Sequence, residues 1–138
     1  MKDAGRLMAG STIKAILVED DYGFRQSLKK ILSCRYPFMQ VVEAEDGKEA
    51  IRKIELLPPD IIFMDIRLPG NNGLELTHTI KARYPGMVVI ILSNFDLSEY
   101  RETAYRYGAD YFLSKDAPMG EFLSVVERVI KTAAGSAL

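Results

Sequence analysis

Four apolar residues, Ile61-Ile62-Phe63-Met64, run straight into the carboxylate of Asp65, and a turn built from Pro69, Gly70, Asn71, Asn72 and Gly73 follows at once. An apolar run without alternation reads as a strand buried on both faces, and turn residues of these types end it. The stretch therefore puts Asp65 at the carboxyl end of a central strand, the edge where open α/β sheets bind ligands. Taken alone, Asp65 reads equally well as a loop cap.

The flanking sequence repeats the theme. Ile13–Val18 is apolar apart from Lys14 and ends in Glu19-Asp20-Asp21. Phe24, Leu28, Ile31 and Leu32 then fall on one face of a helix, with Pro37 beyond its end. Residues 41–44 form a short second strand. Asp46 and Glu49 have capping-box spacing, and Ala50, Ile51 and Ile54 give the next helix its stripe before Pro58-Pro59 stops it. After the Asp65 strand, Gly73 opens a helix with Leu76 and Ile80 facing inward. Residues 87–92 read as a fourth buried strand closing in Ser93-Asn94. Asp96 and Glu99 repeat the capping spacing before a helix through Tyr107, with Gly108 as its stop. Residues 111–113 are a fifth strand leading to Ser114-Lys115-Asp116. Pro118 suits a first helical turn, and Phe122, Val126, Val129 and Ile130 line the last helix. Residues 1–12 lack an apolar core and read as a loose leader rather than a secretory signal. The domain spans 13–133, with 134–138 a frayed tail. Five strands alternating with five helices predict one parallel sheet with helices on both faces.

In such a sheet every strand ends at the same edge. Glu19 and Asp20 end the first strand, Asp65 the third and Ser93 the fourth, and Lys115 follows the fifth. Each alone is ordinary, but five polar residues ending four apolar strands should meet. Two carboxylates about 4 Å apart repel by roughly 4 kcal/mol at an effective dielectric near 20. Three need cations; Lys115 supplies one, and an all-oxygen site that also admits a phosphate points to Mg²⁺ for the rest. Asp65 could then act as a nucleophile on phosphorus to give an aspartyl phosphate, with Lys115 and the Ser93 hydroxyl stabilising the transferring group.

Composition narrows the partners. The net charge of −1 gives no general affinity for nucleic acid or an anionic membrane, so no direct nucleic-acid contact is expected of this domain. No apolar run is long enough to span a bilayer. Cys34 is the only cysteine, which excludes an internal disulfide and fits the cytoplasm. His78 is the only histidine, so no histidine metal set exists. Arg101 and Arg106 read as a solvated helix face. Tyr100, Tyr105, Tyr107 and Tyr111 read either as half-buried packing or as a contact face.

The ordered set Ile16-Leu17-Val18-Glu19-Asp20, Asp65 with Pro69 and Gly73, Ser93 and Lys115 resembles a response-regulator receiver domain of two-component signalling. The resemblance covers nearly the whole chain. It implies a flavodoxin-like (βα)5 three-layer sandwich with parallel sheet order 2-1-3-4-5. It further implies Asp65 as phosphoacceptor, Glu19 and Asp20 as the acidic metal pocket, and a backbone carbonyl of Arg67 as a further Mg²⁺ ligand. Ser93 and Phe112 would be the switch pair, and Lys115 would contact the phosphoryl group. The implied partner is a sensor histidine kinase or phosphotransfer protein, with a homodimer as a further expectation, and the surface that switches is the fourth helix, fifth strand and fifth helix. The domain is expected to be a phosphoacceptor that assists its own phosphoryl transfer and slow dephosphorylation rather than an enzyme.

Departures from the family pattern are Glu19 for the commoner Asp, Leu68 for Met, Asn94 for a very small residue, and Asp116 for the usual Pro. The last puts the usual cis peptide in doubt. Lys115-Asp116 resembles the LuxR/NarL-type subclass, whose members usually carry a helix-turn-helix output domain; the 138 residues contain none. Three rival readings remain. A haloacid-dehalogenase-type phosphatase wants an acid two residues after its nucleophile, where this chain has Arg67, which cannot release a proton. A flavin or nucleotide binder wants a phosphate-cradling loop where this chain has Glu19-Asp20-Asp21. A metal-independent pseudo-receiver would act only as an interaction module.

Overall fold

The computed structural model describes residues 12–135. The leader expected over 1–12, apart from Thr12, and residues 136–138 of the expected tail lie outside the described residues. Five strands, β1 (Ile13–Val18), β2 (Met39–Ala44), β3 (Ile61–Asp65), β4 (Val88–Ser93) and β5 (Tyr111–Ser114), form one parallel sheet in the order β2-β1-β3-β4-β5. Five helices alternate with them: α1 (Tyr22–Arg35), α2 (Gly47–Leu56), α3 (Gly73–Arg83), α4 (Ser98–Arg106) and α5 (Met119–Gly135). The flavodoxin-like expectation holds. A two-rung antiparallel hairpin, Arg67–Leu68 against Asn71–Asn72, links β3 to α3.

The unbroken apolar runs are explained by two cores, one on each face. Residues 61 and 63 of β3 join Ile13, Ala15 and Leu17 against Leu28 and Leu32 of α1 and Phe122, Val126 and Val129 of α5. Residues 62 and 64 join Ile16 and Val18 against Ala50 and Ile54 of α2, Leu76 and Ile80 of α3, and Ala104 of α4. With a side-chain period of two, a strand covered on both sides has no polar face to alternate with.

Local chemistry sets most helix ends. The Asp21 side chain accepts the Phe24 N–H at 3.1 Å and so caps α1. Asp46 accepts the Glu49 N–H at 2.8 Å to start α2, and Glu49 reaches back to the Glu45 N–H, one residue outside the cap. Gly108, at φ 105°, takes the left-handed conformation after α4.

Several sequence expectations are corrected. α4 has Leu97 as its cap residue and no side-chain cap, because Asp96 instead pairs with Arg101 at 2.6 Å. Arg101 is only half solvated: it also donates to the Phe112 carbonyl at 3.2 Å and lies 4.7 Å over the Phe112 ring. On α1 the buried positions are Arg25, Leu28 and Leu32, with Phe24 and Ile31 half-buried. β2 begins at Met39 rather than at 41, β4 is shifted by one residue, and α5 stays helical to Gly135.

Candidate functional site

The sheet brings the predicted polar residues to its carboxyl edge. Glu19 follows β1, and its N–H donates to the Ala44 carbonyl at 3.0 Å, which fixes it beside β2. Asp65 ends β3 in register with Leu92 of β4. Oxygens of Glu19, Asp20 and Asp65 all lie within 4.8 Å of one another. Glu19 is only 5 % exposed, Asp20 is open to solvent, and Asp65 lies between these extremes.

Lys115 reaches this group from the loop after β5. Its backbone N–H donates to the Ser93 carbonyl at 2.8 Å, which ties the ends of β4 and β5 together. Its Nζ lies 2.6 Å from Glu19 Oε1 and 3.5 Å from Asp65 Oδ2, with the Phe24 ring 4.7 Å away. The ammonium is thus shared but sits closer to Glu19. Asp65 Oδ1 accepts the Ile66 N–H at 2.8 Å. One ammonium against three carboxylates leaves a local excess of negative charge, and burial pushes the Glu19 carboxyl above its ordinary value. The Lys115 and Asp21 hydrogen bonds oppose that rise without cancelling it, and the charge of Asp65 adds to it. A cluster of hard carboxylate oxygens, partly dry and under-neutralised, is a donor set that fits Mg²⁺.

Ser93 is 1 % exposed, and its hydroxyl is turned into its own loop. It accepts the Phe95 N–H at 2.9 Å and donates to the Phe95 carbonyl at 3.1 Å. Phe112 is buried, 3 % exposed, with its N–H donating to the Tyr105 hydroxyl at 3.1 Å. Asn94 is exposed. Phe95 is 38 % exposed, and the Arg67 guanidinium stacks 4.2 Å from its ring centre. His78 is exposed on α3 with its ring 5.0 Å from that of Tyr107. Every peptide bond among the described residues is trans, that of Lys115-Asp116 included.

Two residues near the site escaped the sequence reading. Arg25 is buried behind Glu19, and Arg101 covers Phe112. For Arg25 there was a signal: it interrupts an apolar helical stripe, and Glu43 of opposite charge interrupts the apolar strand that packs beside it.

The model of the response regulator receiver domain family matches residues 15–127. The chain belongs to the response regulator receiver family. This receiver is 33 % identical over 117 residues to the transcriptional regulatory protein DegU of Brevibacillus brevis, an alignment covering 85 % of this chain and 50 % of that one. It is 32 % identical over 120 residues to the oxygen regulatory protein NreC of Staphylococcus aureus, covering 86 % and 55 %. The receiver therefore spans about half the length of the curated relatives it matches. A solved two-component response regulator of the LuxR family from Aurantimonas sp. SI85-9A1 superposes with a TM-score of 0.81 at 29 % identity, covering 90 % of this chain and 89 % of that one. That likeness agrees with the LuxR/NarL-type resemblance read from Lys115-Asp116. The phosphatase, flavin-binding and pseudo-receiver readings are not favoured. No helix among the described residues is long and apolar enough to cross a membrane.

Proposed function

We propose that this receiver accepts a phosphoryl group on Asp65 in a Mg²⁺-dependent reaction and passes the signal through α4, β5 and α5. The observation that carries the reading is the convergence of Glu19, Asp20 and Asp65 within 4.8 Å, with Lys115 bridging two of them. An Asp65 oxygen attacks phosphorus, the bond to the donor breaks, and an acyl phosphate remains on the side chain. The donor is the phosphohistidine of a sensor kinase or phosphotransfer protein, or a small acyl phosphate. Glu19, Asp20, Asp65 and the Arg67 carbonyl would hold Mg²⁺, which when bound neutralises the oxygens of the transferring group. Lys115 shifts from Glu19 toward the phosphoryl oxygens, and the Ser93 hydroxyl leaves Phe95 to donate to one of them.

That departure frees the loop from Ser93 to Asp96. Asp96 holds Arg101, and Arg101 holds Phe112, so loop movement reaches the inward Phe112 ring through a contiguous set of side chains. The readout surface carries the exposed Leu97 and Tyr105, suited to a protein partner or a second copy of the chain. The output is transcriptional, through a further domain of the parent protein in the cytoplasm; the transcriptional part is supported by the name of a relative, a transcriptional regulatory protein.

The test is uptake from acetyl phosphate followed by intact mass. One phosphoryl group per chain with Mg²⁺, and none with a chelator, is expected; no uptake under either condition overturns the reading. Mg²⁺ alone should raise the melting midpoint by relieving carboxylate repulsion, with about 2.7 kcal/mol gained at one hundred times the dissociation constant. An unchanged midpoint at saturating Mg²⁺ counts against the metal pocket.

The phosphoryl group should also be long-lived. Hydrolysis needs a water in line with the Asp65–phosphorus bond, and the stacked Arg67 and Phe95 flank its approach without an acceptor to orient it. Phe95→Glu opens the stack and supplies an acceptor, so decay should speed up on the order of tenfold, equivalent to about 1.4 kcal/mol of barrier. Decay equally fast in both proteins refutes the shielding.

A further inference from the structure

The guanidinium of Arg25 is buried, 6 % exposed, and none of the roles assigned above uses it. Its Nη1 donates to the Glu19 carbonyl at 2.7 Å, in a buried contact, and its Nε donates to Glu43 Oε1 at 2.7 Å. Glu43 is in turn held by Gln26 and by Lys29 at 2.9 Å. A buried guanidinium is tolerated only when paired and hydrogen-bonded, and here Glu43 supplies the countercharge. The Glu19 carbonyl belongs to the peptide that joins Glu19 to Asp20. Its neighbour on the other side, the Glu19 N–H, is fixed by the Ala44 carbonyl at 3.0 Å. The backbone that aims two of the three acidic side chains is therefore gripped from β2 on one side and from α1 on the other.

We infer that Arg25 is a positioning residue of the acidic pocket, holding the Glu19–Asp20 peptide so that both carboxylates converge on a divalent cation, with Glu43 orienting Arg25. The inference rests on the reading of that pocket as a Mg²⁺ site. Glu43, shared with the more exposed Lys29, offsets part of the Arg25 charge and so lessens its repulsion of the cation. Groups that orient a ligand from behind typically change metal affinity ten- to a hundredfold when removed, an estimate of roughly that order.

Arg25→Lys separates orientation from charge pairing. Lysine keeps a positive charge for Glu43 but has a single terminal nitrogen, so it cannot also serve the Glu19 carbonyl with the fixed fork of arginine. Mg²⁺ is titrated into the wild type and the variant, following the backbone amide shifts of residues 19–21 and 65–66, and both are melted in chelator. Expected is a Mg²⁺ dissociation constant weakened on the order of tenfold or more in a variant that remains folded in chelator. An unchanged constant, with any loss confined to the melting midpoint in chelator, assigns Arg25 a structural role alone and overturns the inference. Absence of Mg²⁺ binding by the wild type overturns the pocket reading itself, and this inference with it. Should Arg25→Lys not fold, Arg25→Gln is titrated instead. Its shorter side chain cannot hold Glu43 and the Glu19 carbonyl together, while Gln26 and Lys29 still partner Glu43, so an unchanged constant there is equally decisive against the inference.

Discussion

Asp65→Ala should take up no phosphoryl group from acetyl phosphate at any Mg²⁺ concentration, while the wild type gains one per chain. The neighbouring carboxylates cannot substitute, for reasons visible in their surroundings. Glu19 is buried and clamped by Lys115 at 2.6 Å. Its carboxyl is pushed above the ordinary value by burial, so it is the poorer anion at a given pH. Asp20 has an oxygen within 4.8 Å of Asp65, but it is solvent-exposed and lies on the loop between β1 and the α1 cap rather than at the end of the central strand. Only Asp65 combines a strand-end position at the centre of the sheet, an oxygen held by the Ile66 N–H, and a second oxygen facing Lys115. The variant should fold, because the Asp65 side chain belongs to neither apolar core. Intact mass decides the matter: persistent labelling of Asp65→Ala sinks the assignment of the acceptor. A folded, unlabelled variant leaves it standing.

The sheet and the convergence at its edge were legible because they are local patterns repeated. Each apolar run is short, each ends in polar or turn residues, and each is followed by a helical stripe; parallel topology then brings the ends together without further information. What escaped depends on which side chains meet across elements. Asp46 and Asp96 both precede an acid by three residues. Only Asp46 caps its helix, because Asp96 has a stronger competitor in Arg101 at 2.6 Å. Arg101 read as solvated because a helical stripe counts apolar neighbours and cannot see that Phe112, eleven residues on, offers a ring and a carbonyl. Arg25 escaped similarly, its partner Glu43 lying eighteen residues away on β2. Sequence pattern likewise does not encode where the Ser93 hydroxyl rests without a phosphoryl group, which is in its own loop against Phe95.

Gly73→Ala should be the most damaging single methyl group in the domain. Gly73 begins α3 immediately after the hairpin, and its N–H donates to the Ile66 carbonyl at 2.6 Å. A Cβ built there would lie 1.9 Å from the Asp65 carbonyl oxygen, 2.9 Å from its carbon and 3.0 Å from the Ile66 Cα. All three atoms are backbone, so relief requires moving either the start of α3 or the end of β3. Gly47 provides the internal control. Its added Cβ would meet Asn71 Oδ1 and Leu76 Cδ1 at 2.6 Å, which are side-chain ends able to turn away. Overpacking against rigid neighbours costs about 3 kcal/mol or more, and against movable ones about 1 kcal/mol. With roughly 4 °C lost per kcal/mol for a domain of this size, Gly73→Ala should melt about 12 °C below the wild type and Gly47→Ala about 4 °C below it. The shift at Gly73 is transmitted to the proposed acceptor itself, because the displaced carbonyl is that of Asp65. At a temperature where both variants are folded, uptake from acetyl phosphate should therefore be slowed in Gly73→Ala and kept in Gly47→Ala. Equal melting midpoints for the two variants, or wild-type uptake by Gly73→Ala, would show that the contact between α3 and the end of β3 does not hold the acceptor in place.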